Sequence, residues 1–255
     1  MGALPLKERL RAGEILSGYI SVIPSAVSVQ AMAAAGADLL VLDQEHGAAG
    51  PENLHAMIAA TAGTSCAPLV RVPRRDEAWV KRALDFGAEG ICFPLINNAD
   101  EAADCISLCR YPPRGRRGWG PFIAHSRWRT TLSSYLPERG DRSVCVLLME
   151  TRAAVENIEE ICKVEGIDCL VIASFDLSTA LGVPGQFESP EFLNAVEHLE
   201  RAILGAKIPL GGVALTPEQT QRILGRGYQM AVHGIDVVML SDFVHQTKPW
   251  RDKKS

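Results

Sequence analysis

The chain has 255 residues, of which 47% are hydrophobic and 22% charged, with a formal net charge of −4. This composition suits a protein with a sizeable core, and the acidic balance argues against a nucleic-acid or membrane partner, since both favour a basic face. The length fits one domain over residues 1–255, and no linker-like stretch divides it.

Seven cysteines, an odd number without a CxxC, read as free thiols of a reducing cytosol and not as a disulfide frame. Cys105 and Cys109 lie four apart on an expected helix, too few donors for a closed zinc site. The opening residues MGALPLKERLRAGE hold no long apolar run, and no run elsewhere reaches bilayer-spanning length. A cytoplasmic protein is therefore expected.

Short apolar or β-branched runs alternate with segments of helical period along the chain. A strand is expected over 18–23, a helix over 26–35, a strand over 39–43 and a helix over 51–62. Strands over 68–71 and 90–93 follow, each with its helix, over 76–86 and 99–109. After a long insertion at about 110–141 come strand 144–149, helix 153–164 and strand 169–172. Helix 190–206, strand 209–213, helix 217–225, strand 230–233 and helix 236–246 complete the series.

The continuous apolar strands LLVL and VCVLLM suit a parallel sheet buried on both faces. About eight β/α units in this length point to an α/β fold, a single (β/α)8 TIM barrel. A doubly wound open sheet would more naturally carry a glycine-rich phosphate turn after its first strand, and GYISVIPSAV has none.

The insertion carries Arg110, Arg114, Arg116, Arg117, Arg127 and Arg129. It is short, rich in proline and glycine, and set in an acidic chain, so it suits capture of an acidic substrate or a subunit contact better than nucleic acid. The last residues, KPWRDKKS, read as a frayed tail.

A barrel of this kind does its chemistry at the C-terminal ends of its strands, which turns the strand list into a site list. The second strand ends in Asp43, followed by Gln44, Glu45 and His46; the third ends in Arg71; the fifth delivers Glu150; the sixth runs into ASFDLS and delivers Asp176. Glu150 and Asp176 are hard oxygen donors, and a pair of carboxylates with open positions suits Mg2+ or Mn2+. Each could instead cap a helix. Asp43 and His46 suit an orienting carboxylate and a general base. Arg71 suits an anionic substrate oxygen, or an ion pair with Glu150 or Asp43. Glu45 fits either a supporting role or an ordinary loop charge. His233, ending the last strand, and His125, in the insertion, are minor candidates. His55, His198 and His245 each fall on an expected helix.

Taken in order, DLLVLDQEHG, PLVRVP, RYPPRGRRGWG, METRAAVENI and IDCLVIASFDLSTALG resemble the HpcH/HpaI aldolase family, the class II metal-dependent pyruvate aldolases. The resemblance implies aldol cleavage or formation of a 4-hydroxy-2-oxo acid through a pyruvate enolate, without a Schiff base. It implies Mg2+, Mn2+ or Co2+ on Glu150 and Asp176, with Arg71 supporting the enolate oxygen. His46, oriented by Asp43, would be the base, and backbone amides near Ser174 and Asp176 would hold the pyruvate carboxylate. It also implies a homo-oligomer (a hexamer or trimer of dimers) with the last helix exchanged between subunits. The chain departs from the pattern at Leu148, where glutamine is usual, at Ala173 and Ser174, where Gly-Pro is usual, and at Ile20, where tryptophan is usual. Oxaloacetate decarboxylation through the same enolate, or a non-catalytic barrel, are the alternatives these departures leave open.

Overall fold

The computed structural model describes residues 4–252. Eight parallel strands close into a barrel in sequence order. They are β1 (Leu16–Ser21), β2 (Leu39–Asp43), β3 (Ala67–Arg71), β4 (Gly90–Phe93), β5 (Val144–Met149), β6 (Cys169–Ile172), β7 (Leu210–Val213) and β8 (Met230–Ile235). The expected (β/α)8 barrel is what forms, with strand boundaries displaced by at most two residues.

Strand alternation sorts the apolar side chains into two cores. One lies inside the barrel, where Leu16, Leu39, Val41, Ala67, Leu69, Cys92, Val144, Val146, Leu148, Cys169, Val171 and Met230 meet. The other lies between barrel and helices, where Leu40, Leu42, Val70, Ile91, Leu147 and Leu170 pack on helix residues such as Leu54, Met57, Leu84 and Leu199. Each fully buried leucine contributes about 2 kcal/mol of transfer free energy. The inner parity carries directly into the site. Asp43 continues the series Leu39, Val41; Arg71 continues Ala67, Leu69; Glu150 continues Val144, Val146, Leu148.

Four segments differ from the sequence expectation. A short helix, Leu6–Arg11, precedes β1 and inserts Leu6 and Leu10 into the inner core at the N-terminal end of the strands. The helix expected over 153–164 is broken into Arg152–Glu156 and Ile158–Ile161. Asn157 lies at the break, its side-chain amide donating to the carbonyls of Ala153 at 2.9 Å and Asn97 at 3.0 Å. An asparagine that captures backbone carbonyls competes with the helix around it.

The third is the insertion, which forms helices Ala124–Arg127 and Leu132–Arg139 around a small core of Tyr111, Ala124 and Tyr135. Its arginines are largely occupied within the chain. Arg110 bonds the Ser143 carbonyl at 2.9 Å, Arg117 pairs with Asp85 at 2.7 Å, Arg114 with Asp141 at 2.8 Å, and Arg116 with Asp104. Arg127 reaches the Gly87 carbonyl and Thr61, near the C-terminal ends of two helices and so at the end of the barrel opposite the rim. Capture of an acidic substrate by this segment at its own rim is therefore not what the fold provides. The tail differs too: Lys248–Asp252 forms a 3-10 turn, with Trp250 against Phe243, and residues 253–255 lie outside those described.

Candidate active site at the barrel rim

Asp43 and Arg71 are register partners on β2 and β3. Arg71 donates from Nε at 2.9 Å and from Nη2 at 2.7 Å to the two oxygens of Asp43, a two-pronged charge-assisted pair. The same carboxylate accepts the backbone amides of Glu45 at 3.0 Å and His46 at 3.3 Å, closing the turn after β2. Gly47 permits that closure, since a Cβ there would fall 2.1 Å from the Asp43 carbonyl oxygen. Burial opposes charge on Arg71, but Asp43 more than offsets it and holds the guanidinium above its ordinary pKa.

This geometry corrects one expectation. Asp43 holds His46 by its backbone amide and not by its imidazole, because both carboxylate oxygens already serve Arg71. The His46 ring is 65% exposed, and its Nε2 lies 3.6 Å from Glu45 Oε2. Glu45 also reaches Arg71 Nη1 at 3.3 Å. Burial pushes the Glu45 carboxyl up from its ordinary pKa, against the pull of Arg71.

Glu150 is buried, 4% exposed. Its Oε1 accepts the Leu95 amide at 2.6 Å. Burial raises its pKa to about 7, opposed by that hydrogen bond and reinforced by the negative charges of Asp176 and Glu45. Asp176 stands exposed in the first turn of the helix Ser174–Ala180, and among the described residues its carboxylate has no side-chain partner. Ser174 opens that helix after Ala173, and its first-turn amides have no intrahelical carbonyl to bond.

Among the described residues no three or more His, Cys, Asp or Glu side chains gather into a closed metal cage. The donors at this rim are a pair of hard oxygens in an acidic, partly desolvated setting. That chemistry fits a hard divalent cation with open positions, which would offset the burial that chiefly raises Glu150 and the repulsion that adds to it.

The other candidates fall elsewhere. His233 has the parity opposite to Met230 and Val232, so it faces the helix layer; it lies 3.2 Å from Ser17 Oγ and 3.2 Å from the Ala214 carbonyl, against the Tyr19 ring. His125 turns onto its own insertion, 3.1 Å from the Pro121 carbonyl. Cys92 neighbours Arg71 in register, but burial pushes its thiol up to about 12, which removes it as a nucleophile.

Sequence reasoning missed two supports of the rim. Leu95 supplies the amide on Glu150. Buried Asp236 accepts from Ser21 Oγ at 2.8 Å and from the amides of Val22 and Ile23 at 3.1 Å each, tying the loop after β1 to the end of β8. Position supplied a signal for Asp236, since it follows the last strand as Asp43 ends the second.

Comparison with known proteins agrees with this fold. The profile of the HpcH/HpaI aldolase/citrate lyase family matches residues 22–242. A 2-keto-3-deoxy-L-rhamnonate aldolase of Escherichia coli O157:H7 is 33% identical over 243 residues, spanning 95% of this chain and 91% of the relative. The crystal structure of a HpcH/HpaI aldolase/citrate lyase family protein from Burkholderia cenocepacia J2315 superposes with a TM-score of 0.91 at 30% identity, covering 97% of this chain and 99% of that one. The HpcH/HpaI aldolase from Desulfitobacterium hafniense DCB-2 gives 0.91 at 29% identity, covering 99% and 98%.

Proposed function

Because the chain belongs to the HpcH/HpaI aldolase/citrate lyase family, an aldolase-type carbon–carbon lyase, we propose that Glu150 and Asp176 hold a divalent cation with which it cleaves or forms a 4-hydroxy-2-oxo acid. The observation that carries this reading is the buried Glu150 carboxylate, raised to about 7 and facing further negative charge with one amide to satisfy it. When bound, Mg2+, Mn2+ or Co2+ would supply a Lewis acid at the keto oxygen of a 2-oxo acid such as pyruvate, favouring its enolate.

The chain's own groups do the rest. Arg71, fixed by Asp43, keeps N–H groups on Nη1 and Nη2 for an anionic substrate oxygen. The first-turn amides at Ser174 and Asp176 receive the substrate carboxylate. His46 takes the proton of the substrate 4-hydroxyl as the carbon–carbon bond breaks and the aldehyde leaves, and returns it in the condensation direction. Leu148, 7% exposed and pointing inward below Glu150, gives the pocket floor an apolar surface where a hydrogen-bonding side chain is usual in the family. The grip on the 2-oxo acid therefore rests on Arg71 and the amides.

The reading includes a homo-oligomer, supported by the last helix, Asp236–Thr247, whose Leu240, Phe243 and Val244 are 59–62% exposed. The partner is a small molecule, a 2-oxo acid with an aldehyde. A cytosolic setting is supported by the free cysteines, all buried except the half-buried Cys162. No helix among the described residues is long and apolar enough to cross a membrane.

The test is direct. Purified protein with Mg2+ or Mn2+ releases pyruvate from a 4-hydroxy-2-oxo acid and loses this activity on EDTA treatment. Activity that persists after chelation and is trapped by borohydride overturns the cation mechanism, and absence of divalent binding by calorimetry overturns the site.

A further inference from the structure

Leu95 has a backbone φ of +56°. A leucine rarely adopts this left-handed conformation, which persists only where the surroundings over-determine it. Here the surroundings are a polar clasp. Asn97 Nδ2 donates to the Leu95 carbonyl at 3.0 Å. Thr151 Oγ1 lies 2.9 Å from Asn97 Oδ1 and 3.3 Å from the Ile96 carbonyl. Asn157 Nδ2 donates to the Asn97 carbonyl at 3.0 Å, and Glu101 accepts the Asn97 amide at 2.9 Å.

The clasp joins two stretches of chain. One is the turn that follows β4. The other begins at Thr151, the residue after Glu150 and the N-cap of Arg152–Glu156. Their shared product is the Leu95 amide, aimed at Glu150 Oε1 at 2.6 Å. With Oε1 engaged, the carboxylate cannot turn freely, and Oε2 accepts no hydrogen bond from the described residues.

We propose that Asn97 and Thr151 are positioning residues for the cation site, locking the turn after β4 so that the Leu95 amide fixes the Glu150 carboxylate. The inference rests on the reading of Glu150 as a cation ligand. It also accounts for the break at Asn157, whose side chain supports the clasp instead of continuing a helix.

The test uses the full chain and measures Mn2+ affinity from the electron paramagnetic resonance signal of free Mn2+, alongside melting temperature. Asn97→Ala and Thr151→Val each weaken Mn2+ binding by roughly tenfold or more, the range expected on removing a group that orients a ligand. Thr151→Ser, which keeps the hydroxyl, restores affinity to within about twofold of the wild type. Arg152→Ala, which breaks a hydrogen bond to the Leu181 carbonyl beside the clasp, leaves affinity unchanged.

If Asn97→Ala and Thr151→Val lower the melting temperature but bind Mn2+ as the wild type does, the positioning role is overturned while the cation site stands. If the wild type itself binds no Mn2+, the cation reading falls and this proposal with it. Should Thr151→Val fail to fold, Asn97→Ala, at a half-buried position in the turn, decides the matter alone.

Discussion

At the closed end of the barrel, Asp38, Glu89 and Asp168 each stand one residue before a strand, and each is well answered. Asp168 faces Lys7 Nζ at 3.1 Å, Arg110 Nη2 at 3.3 Å and the Cys145 amide at 2.9 Å. Asp38 accepts the Ser17 amide at 2.9 Å and pairs with Arg9, and Glu89 accepts the Leu6 amide at 2.6 Å. At the open end, among the described residues, Glu150 has one amide, and Arg71 is the one arginine against Asp43, Glu45, Glu150 and Asp176. Charge that is matched within the chain holds strands in place. Unmatched charge in a partly desolvated rim marks where something from outside is received.

Four measurements test this contrast. The largest effect belongs to the open end: Glu150→Ala should lower Mn2+-dependent pyruvate release by about a thousandfold or more, as expected when a Lewis acid worth several kcal/mol is lost. Activity within tenfold of wild type would place the chemistry elsewhere. At the closed end, Asp168→Ala strands Lys7 and Arg110, both largely buried, without their carboxylate. Denaturant unfolding should show a loss of about 3–5 kcal/mol, with turnover preserved wherever the variant is folded.

The pH dependence of the metal-free protein comes next. The folded state holds a proton on Glu150 up to about pH 7, whereas the unfolded chain releases it near the ordinary glutamate value. Between those points the folded state binds more protons, so this group's contribution to stability falls as pH rises through the window. Relative to Glu150→Gln, wild type should lose up to about 3 kcal/mol across it; a constant difference between the two would refute the assignment. The smallest effect is expected for Arg114→Ala, because its pair with Asp141 is exposed on both sides. Less than about 1 kcal/mol should be lost, measured in the same unfolding experiment.

Much of this was legible in the residues. Alternating β/α runs predicted the barrel, the motif blocks predicted the family now matched, and strand ends placed Asp43, Arg71 and Glu150 on one rim. Counting parity one step further would have turned His233 outward, since Met230 and Val232 point in. Other features depend on what a string of letters does not carry. Whether Arg71 or the His46 ring takes the oxygens of Asp43 is settled by cross-strand register and side-chain reach. The left-handed turn at Leu95 is held by the nearby Asn97 side chain, which is itself held by Thr151 and Asn157, more than fifty positions away, so local propensity alone does not announce it. Leu6 and Leu10, four apart before the first strand, did carry a helical signal, but nothing local says that such a short helix will enter a barrel.

That small helix shapes traffic through the molecule. With Leu6 and Leu10 seated in the floor and inward side chains filling the space above them, the barrel is a cup, closed at its N-terminal end by the described residues. Whatever enters past His46 must leave the same way. For a reaction that yields two fragments, the fragment seated against Arg71 and the barrel wall waits behind the one nearer solvent. On the proposed aldol reading, the order of departure would be written into the floor plan: the aldehyde would go first, and the 2-oxo acid, last to leave, would be the fragment that greets the next arrival.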